Sequence, residues 1–427
     1  MIDSSLPNPF LASVVTDPWK PAQVDVAEIH AEAFGRCCQA IEYVRKTSQS
    51  TSIIIHGEAG SGKTHLMARL RSYLSPVPAV FISVPLQTSP QMLWRHLRRC
   101  LVDDVLRPVE NDQTQFIRIA SQRAGSTAFQ SESWLSQVQM DYDLSCVLSH
   151  LLTNRYRRES RAWLRGDSLS ETDLTNLGLP AIAEDEEDPE DKSRRVTLSL
   201  CKLCGSAIPL IICFDQVEAL QNRPGEKTGL SVFGRMVQSL HDGTENVLVI
   251  SCMQSSYLDP LYDAVDNANQ DRLASSGKLA LLPLIYDQAL SLISARLRAV
   301  PELADLSRGR PRLWPLNESD IKAFFEHETV PRVVARKIIA HCAHLFETAR
   351  GRPGKPIIKT RDYLEQLWQV RMETAVTKNL PEDSDQILQH GLPGLMGLGE
   401  VRWQENQEYT LQDIDLIFSR PGGNRIE

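Results

Sequence analysis

Several features typical of other protein classes are missing from this sequence of 427 residues. No uninterrupted apolar run approaches the roughly 18 residues that a membrane-spanning helix needs. The amino terminus, MIDSSLPNPF, has neither the charged segment nor the apolar segment of a secretory signal. The nine cysteines, an odd number, do not form the disulfide framework of a secreted protein. We therefore expect a soluble cytoplasmic protein with reduced thiols.

A biased composition and a large excess of one charge are also missing. Glycine (22) and proline (24) are too few for a fibrous or disordered chain. The net charge is −8, but seven of the acidic residues fall within residues 184–191, and without them it is −1. We interpret this acidic run as a solvated loop. Because the rest of the chain is nearly neutral, charge neither requires nor excludes DNA as a partner.

Short apolar runs separated by helical stretches are the main structural signal that is present. They predict strands at residues 51–56, 78–85, 208–215, 246–252 and 278–283. Because helical stretches lie between them, the connections are crossovers and the sheet should be parallel. The sequence therefore predicts an α/β fold with a three-layer core, in which helices cover both faces of a parallel sheet.

The segment after the first predicted strand carries the strongest functional signal. It lies before a predicted helix and matches GxxxxGK[ST] in full, with Gly57, Glu58, Ala59, Gly60, Ser61, Gly62, Lys63 and Thr64. Such glycines let backbone N–H groups surround a phosphate, the lysine reaches the β and γ phosphates, and the hydroxyl can ligate Mg²⁺. We predict ATP and Mg²⁺ as ligands, with the binding segment ending at His65.

Two acidic residues follow the third predicted strand and could complete a hydrolytic site. Asp215 ends that strand, where a carboxylate can hold the metal directly or through water. Glu218 lies three residues further on and can polarise the attacking water if the chain turns into a helix there. The alternative, which we favour less, is a first-turn acid stabilised by the helix dipole.

Together these motifs resemble the additional-strand class of P-loop ATPases, the AAA+ and STAND group. Members commonly carry adjacent Asp and Glu at the second motif, whereas this chain reads Asp215-Gln216-Val217-Glu218. That spacing is more similar to some STAND-type ATPases than to classical AAA+ unfoldases. The resemblance implies a molecular switch that binds and hydrolyses ATP.

The resemblance also implies three further catalytic positions. A polar sensor follows the next strand, where Ser251, Gln254 and Ser255 are candidates and Gln254 has the longest reach. An arginine that acts on a neighbouring subunit precedes the last strand of the core, which Arg272 matches. A lid arginine lies early in a helix, often after proline, and Arg332 follows Pro331. An ordinary surface arginine remains the alternative for Arg272.

On this basis the chain should contain four regions. They are an N-terminal lead and helix (1–50, with the helix from about 26 to 45), a P-loop ATPase core (51–286) with a helical insertion at about 90–205, a helical lid (287–354), and a C-terminal extension that is α/β or winged-helix-like (355–427).

Two classes of function remain open at this stage. In the first, the switch acts on DNA or is regulated by it in replication, transposition or phage defence. Residues 163–179 are similar to an insertion in some phage-defence ATPases. The arginines at 155, 157, 158, 161 and 165 could track a phosphate backbone, but Glu159 and Asp167 lie among them and a solvated helix face is the favoured alternative. In the second, a STAND-like scaffold oligomerises with ATP and recruits a protein client. A homo-oligomer or a complex with an effector protein is expected in either case.

Overall fold

The structure is a computed structural model that divides into two compact units, Met1–Ile357 and Ile358–Glu427. It describes residues 6–11, 15, 17–20, 24–110, 113–124, 135, 138, 140–180, 188–206, 208–221, 226–327, 333–351, 418–419 and 425–426. Most of the predicted C-terminal extension, 355–427, lies outside the described residues. Every helix among the described residues is too short or insufficiently apolar to span a membrane.

A five-stranded parallel sheet forms the centre of the first unit. In chain order the strands of the described residues are β1 (Thr51–His56), β2 (Val80–Pro85), β3 (Pro108–Glu110), β4 (Gln113–Thr114), β5 (Leu210–Asp215), β6 (Val247–Met253), β7 (Lys278–Ala280), β8 (Phe418–Ser419) and β9 (Arg425–Ile426). The sheet order is β2-β5-β6-β1-β7, and β3 with β4 and β8 with β9 form separate antiparallel pairs. The five strands predicted between residues 51 and 283 are all present and parallel.

Helices of the described residues pack on both faces of this sheet, and those after β7 form a separate cluster. In chain order they are α1 (Ala31–Thr47), α2 (Lys63–Leu74), α3 (Leu93–Val105), α4 (Gln115–Ala124), α5 (Tyr142–Leu152), α6 (Arg157–Arg165), α7 (Glu171–Asn176), α8 (Pro189–Cys201), α9 (Thr228–Gly243), α10 (Leu258–Asp263), α11 (Asn267–Leu273), α12 (Tyr286–Arg298), α13 (Pro301–Leu306), α14 (Glu318–His327) and α15 (Ala335–Ala349). Helices α3 to α8 lie between β2 and β5 in the chain.

Successive side chains of the strands alternate between two hydrophobic clusters, one on each face of the sheet. On β1, Ile53 and Ile55 pack with Leu66 of α2, whereas Ile54 belongs to a larger cluster that includes Phe233 of α9. Burial on both faces explains why the strands read as continuous apolar runs in the sequence. The predicted three-layer α/β fold is confirmed.

Two predicted helix starts are wrong. The helix predicted from about residue 26 begins at Ala31, because the preceding residues form turns: Ile29 donates its N–H to the Val26 carbonyl at 3.0 Å, and His30 has a φ of 53°. The helix predicted to have Pro331 in its first turn begins at Ala335, since Val334 is extended. Both errors come from backbone conformations that an apolar pattern does not report.

Side chains protect the exposed edge of the sheet at β2. Gln115 pairs with the main chain of Phe81, accepting from its N–H and donating to its carbonyl, both at 2.9 Å. Asp104 accepts the N–H of Ser83 at 2.7 Å, and burial raises the pKa of this carboxyl to about 6. Three free hydrogen-bonding groups of the edge strand are thus satisfied by side chains of the same chain, which discourages pairing with another strand.

The lid helices and the start of the chain share a third hydrophobic cluster. Phe10 packs edge-on against Phe346 of α15, with ring centroids 6.2 Å apart. Asn8 donates to the Ala343 carbonyl at 3.1 Å. Further along, Trp19 packs against Phe81 of the edge strand β2, with centroids 5.7 Å apart. The predicted N-terminal lead therefore contacts both the lid and the core.

Part of the acidic run has a structural role that the interpretation as a solvated loop misses. Residues 184–187 lie outside the described residues. Asp188 accepts the N–H of Glu190 at 2.7 Å and caps the start of α8. Glu190 in turn accepts the N–H of Trp94 at 2.8 Å, at the start of α3. These carboxylates satisfy free N–H groups at helix starts, so the interpretation as a solvated loop is wrong for them.

Candidate nucleotide site

The glycine-rich loop connects β1 to α2 at the carboxyl edge of the sheet. Gly60 and Gly62 have φ values of 80° and 105°, a region that favours glycine. Within the loop, Ser61 donates its N–H to the Glu58 carbonyl at 3.1 Å. The Ser61 hydroxyl is buried and has no hydrogen-bond partner among the described residues. A buried hydroxyl of this kind favours a polar ligand at the loop.

Lys63 begins α2 and returns its side chain over the loop. Its ammonium donates to the carbonyls of Gly57 and Glu58, at 2.7 and 3.1 Å, and the residue is only 8% exposed. Among the described residues, no carboxylate lies within ion-pair distance of this ammonium. A buried cation without a counter-ion favours an anionic ligand, because burial is costly for an unpaired charge.

Thr64 and Asp215, which are distant in sequence, meet next to this lysine. The Thr64 hydroxyl donates to Asp215 Oδ2 at 2.6 Å, and Asp215 Oδ1 accepts the N–H of Gln216 at 2.9 Å. Asp215 ends β5 and is buried. A hydroxyl and a carboxylate in contact are oxygen ligands of the kind that Mg²⁺ takes, so these residues fit a magnesium site.

Glu218 lies on a short 3₁₀ turn, Val217–Leu220, rather than in a longer helix. Its Oε2 accepts the backbone N–H of Gln254 at 3.2 Å. Burial raises the pKa of Glu218, although Lys63 and the Gln254 N–H act in the opposite direction. The structure thus brings the predicted base and the predicted sensor segment together at the end of β6, next to β5.

The other two sensor candidates occupy different surroundings. The Ser251 hydroxyl is buried within β6 and has no hydrogen-bond partner among the described residues. The Ser255 hydroxyl lies 3.1 Å from His56 Nδ1. His65, the predicted end of the binding segment, contacts Asp25 Oδ1 through its Nε2 at 3.1 Å.

Arg272 lies on α11 and pairs with another helix of its own chain. Its Nε donates to both carboxylate oxygens of Asp242, each at 2.8 Å. Partial burial raises the pKa of the Asp242 carboxyl, but the hydrogen bonds and charges of Arg272 and His241 outweigh it and hold this pKa below its usual value. The structure therefore does not bring Arg272 to the glycine loop of its own chain, and its predicted role in a neighbouring subunit stays a prediction.

The predicted lid residue Arg332 lies outside the described residues, but another arginine of the lid contacts the loop. Arg336, in the first turn of α15, donates its N–H to the Gly60 carbonyl at 3.3 Å. A Cβ placed on Gly60 would lie 2.6 Å from the Cβ of Arg336. Arg332 and Arg336 are one helical turn apart in sequence, so the pattern of an arginine early in a lid helix does not distinguish between them.

Sequence reasoning also missed a histidine that supports the loop. His30 Nε2 lies 2.8 Å from the Ser61 carbonyl. Burial lowers the pKa of His30, against the effect of this hydrogen bond, so the neutral form is favoured. No local signal marks His30, because its partner is thirty-one residues away in the sequence.

The comparisons with known proteins agree with this geometry. The family model described as an AAA ATPase domain matches residues 36–250, about half of the chain. No curated protein matches the chain.

Several solved structures are similar at low sequence identity. The ORC1 protein of Aeropyrum pernix in complex with DNA is 14% identical, with 79% of this chain and 71% of that chain covered and a TM-score of 0.33. A Walker-type ATPase of Pyrococcus abyssi is 16% identical, with 90% and 84% covered and a TM-score of 0.37. The ORC2 protein of Aeropyrum pernix is 13% identical, with 82% and 69% covered and a TM-score of 0.38.

The family match spans β1, the glycine-rich loop, β5 with Asp215, and most of β6. It therefore includes the strands and the loop that form the nucleotide site. The predicted resemblance is confirmed, and the chain belongs to the AAA+ family of P-loop ATPases.

Proposed function

We propose that this protein is an ATP-binding and ATP-hydrolysing molecular switch that requires Mg²⁺. One observation carries the proposal. Within the described ranges, the buried Lys63 ammonium has only backbone carbonyls as partners, and it lies beside a hydroxyl and a carboxylate in contact, Thr64 and Asp215. Together these groups offer a cationic site for phosphate oxygens and an oxygen site for a divalent ion.

The binding role falls to the loop and the start of α2. Binding requires the Lys63 ammonium to exchange its two carbonyl acceptors for phosphate oxygens. The N–H groups at the start of α2 face the same phosphates, where the helix dipole favours negative charge. Thr64 and Asp215 would hold Mg²⁺, which neutralises charge on the phosphates when bound.

The hydrolytic role falls to Glu218. The carboxylate accepts the proton of the attacking water as the water oxygen bonds to the γ-phosphorus and the bond to the ADP oxygen breaks. A raised pKa makes this carboxylate a better proton acceptor than an exposed glutamate. The N–H of Gln254 holds the carboxylate in place, so the backbone of the sensor segment positions the base.

The conformational change of the switch would pass through the contact between the glycine-rich loop and the lid. Arg336 of α15 touches Gly60, so a change in the loop on binding or hydrolysis reaches the lid directly. Arg332 is proposed to face the nucleotide when the lid closes. Arg272 is proposed to complete the site of a neighbouring subunit in an oligomer, which requires its pair with Asp242 to open.

We propose further that the switch acts on DNA or is regulated by it, as expected in replication, transposition or phage defence. Exposed arginines on α6 support this assignment. The alternative is a STAND-like scaffold that recruits a protein client, which the late position of Glu218 after Asp215 favours. The two differ in one measurable respect: DNA accelerates ATP hydrolysis in the first and has no effect in the second.

Calorimetric titration with Mg-ATP tests the nucleotide site. We expect Lys63→Ala to weaken affinity about 10- to 150-fold, the range for loss of hydrogen bonds to a charged group. Lys46→Ala is the matched control, because Lys46 is an exposed lysine in the last turn of α1. Affinity should be unchanged in that variant. Folded protein that shows no affinity for Mg-ATP would contradict the proposal.

A further inference from the structure

The arginine-rich segment at residues 155–165 separates in the structure into two groups with different surroundings. Arg155 and Tyr156 end a turn, and the helix α6 follows from Arg157. The segment contains five arginines. Two of them are neutralised by acidic residues of the same chain. The other three are not, and this difference is the basis of the inference.

The later arginines are paired with acidic residues of the same chain, mainly Asp103 of α3. Arg161 donates to Asp103 Oδ1 at 2.7 Å, and Arg165 donates to Asp103 Oδ2. Arg165 also donates to Asp167 Oδ2 at 3.0 Å. These two guanidinium groups serve to attach α6 to α3, so they contribute little free positive charge.

The earlier arginines, Arg155, Arg157 and Arg158, are exposed. Among the described residues, none of their side chains has a hydrogen bond or an ion pair. Glu159 is the acidic residue next to them in sequence, and it leaves the group with an excess of positive charge. Tyr156, exposed to 43%, lies between them. We call these three arginines the α6 arginine surface.

Arg157 and Arg158 begin the helix α6, which is attached to α3, and Arg155 lies in the turn before it. Arg98 of α3 is buried and donates to the carbonyls of Trp163 and Leu164, at 2.6 and 2.5 Å. Ser160 and Leu164 of α6 are themselves buried. The helix that carries Arg157 and Arg158 is therefore fixed to the core at its far end, while the exposed guanidinium groups at its start remain accessible to a partner.

We propose that the α6 arginine surface binds the phosphodiester backbone of DNA. The inference rests on the proposed action on DNA and names the surface that makes the contact. Three exposed guanidinium groups within four residues, with no partner in the part of the chain that the structure describes, suit a chain of regularly spaced anions. Contacts of this kind position a protein without reading sequence. Binding should therefore be strongly dependent on salt and weakly dependent on base sequence.

Fluorescence anisotropy with a labelled DNA duplex tests the proposal on the full chain at several salt concentrations. Replacing Arg155, Arg157 and Arg158 with alanine should make the negative slope of log affinity against log salt shallower by about 2.7, since each phosphate contact contributes about 0.9. Arg161→Ala, on the same helix, is the matched control and should change affinity little, because Asp103 neutralises Arg161. Asp103→Asn should strengthen binding by removing a negative charge and releasing Arg161, while Arg165 keeps its pair with Asp167.

Three results would overturn the assignment. In the first, the triple variant binds DNA with the affinity and salt slope of the natural protein, which leaves action on DNA intact and removes the α6 arginine surface from it. In the second, the natural protein binds Mg-ATP but not DNA, which rejects the action on DNA and leaves the nucleotide site standing. In the third, polyglutamate competes as well as unlabelled DNA, which indicates an acidic protein as the partner.

Discussion

The carboxyl edge of the sheet and the start of α6 both carry cationic side chains, but these side chains have opposite surroundings. Lys63 is buried and its ammonium is held by two carbonyls, whereas Arg155, Arg157 and Arg158 are exposed and unpaired among the described residues. At the sheet edge, the position of each atom is fixed by β1, β5 and β6. At the start of α6, the arginine side chains are exposed and supply positive charge without a fixed arrangement of hydrogen-bond donors.

This difference separates two kinds of recognition. A ligand at the sheet edge has to match a set of oriented donors and acceptors, so small changes in shape should have large effects there. A ligand at α6 has to supply only negative charge, so changes that keep the charge should be tolerated. The comparison can be tested by substitutions that alter geometry while leaving size or charge nearly the same.

The largest effect is expected for Glu218→Gln, which keeps the shape of the side chain and removes its capacity to accept a proton. The rate of ATP hydrolysis should fall by about 10²- to 10⁴-fold, the usual contribution of a general base, while Mg-ATP affinity is retained. Glu245→Gln is the control, because Glu245 is exposed in the turn before β6. Equal turnover in the Glu218 variant would remove it from the mechanism.

The pH dependence of hydrolysis sharpens this test. Because burial raises the pKa of Glu218, the carboxylate becomes protonated at a higher pH than an exposed glutamate, whose pKa is about 4.3. A protonated carboxyl cannot accept the proton of water. The rate should therefore fall about tenfold per pH unit as the pH drops below this raised pKa. The same acidic limb should be absent in Glu218→Gln.

A smaller effect is expected for Gly60→Ala, which adds a single methyl group to the loop. The positive φ and a Cβ only 2.6 Å from the Cβ of Arg336 should destabilise the fold by about 1–3 kcal/mol in chemical denaturation. Gly35→Ala is the matched change, because Gly35 lies within α1 with no atom within 4 Å of the added Cβ. That variant should be stabilised by about 0.5–1 kcal/mol. Similar effects at both sites would contradict the strained geometry of the loop.

The smallest effect is expected for Arg157→Lys on α6, which keeps the charge. DNA affinity should change by less than about threefold, because counterion release depends on charge more than on donor geometry. Lys63→Arg makes the reverse exchange at the sheet edge and should severely weaken Mg-ATP binding, because a guanidinium group does not fit the space occupied by the ammonium. A large loss for Arg157→Lys would show that α6 also requires a specific geometry.

The strands and the contact between Thr64 and Asp215 could be anticipated from the sequence. Both follow from local patterns, since buried parallel strands are apolar runs and their carboxyl ends meet at one edge of the sheet. The contacts of His30 and Arg336 with the loop could not be anticipated. They depend on how the segment before α1 and the lid fold back onto the loop, which no spacing in the sequence encodes.

The helix caps illustrate the same limit on a smaller scale. Asp188 caps its own helix, a local arrangement that its position before a proline makes recognisable. Glu190 caps a helix that starts at Leu93, almost a hundred residues earlier in the chain. A run of acidic residues looks uniform in the sequence, and only the tertiary contacts show which of its members are structural.

The attachment of the first residues to two parts of the molecule limits how far the lid can swing. Phe10 is anchored among the lid helices and Trp19 against the edge strand, and nine peptide units join them. A fully extended chain of that length spans at most about 32 Å. The beginning of the polypeptide thus acts as a tether of limited reach between the lid and the core, and it contains none of the groups that are proposed to bind the nucleotide.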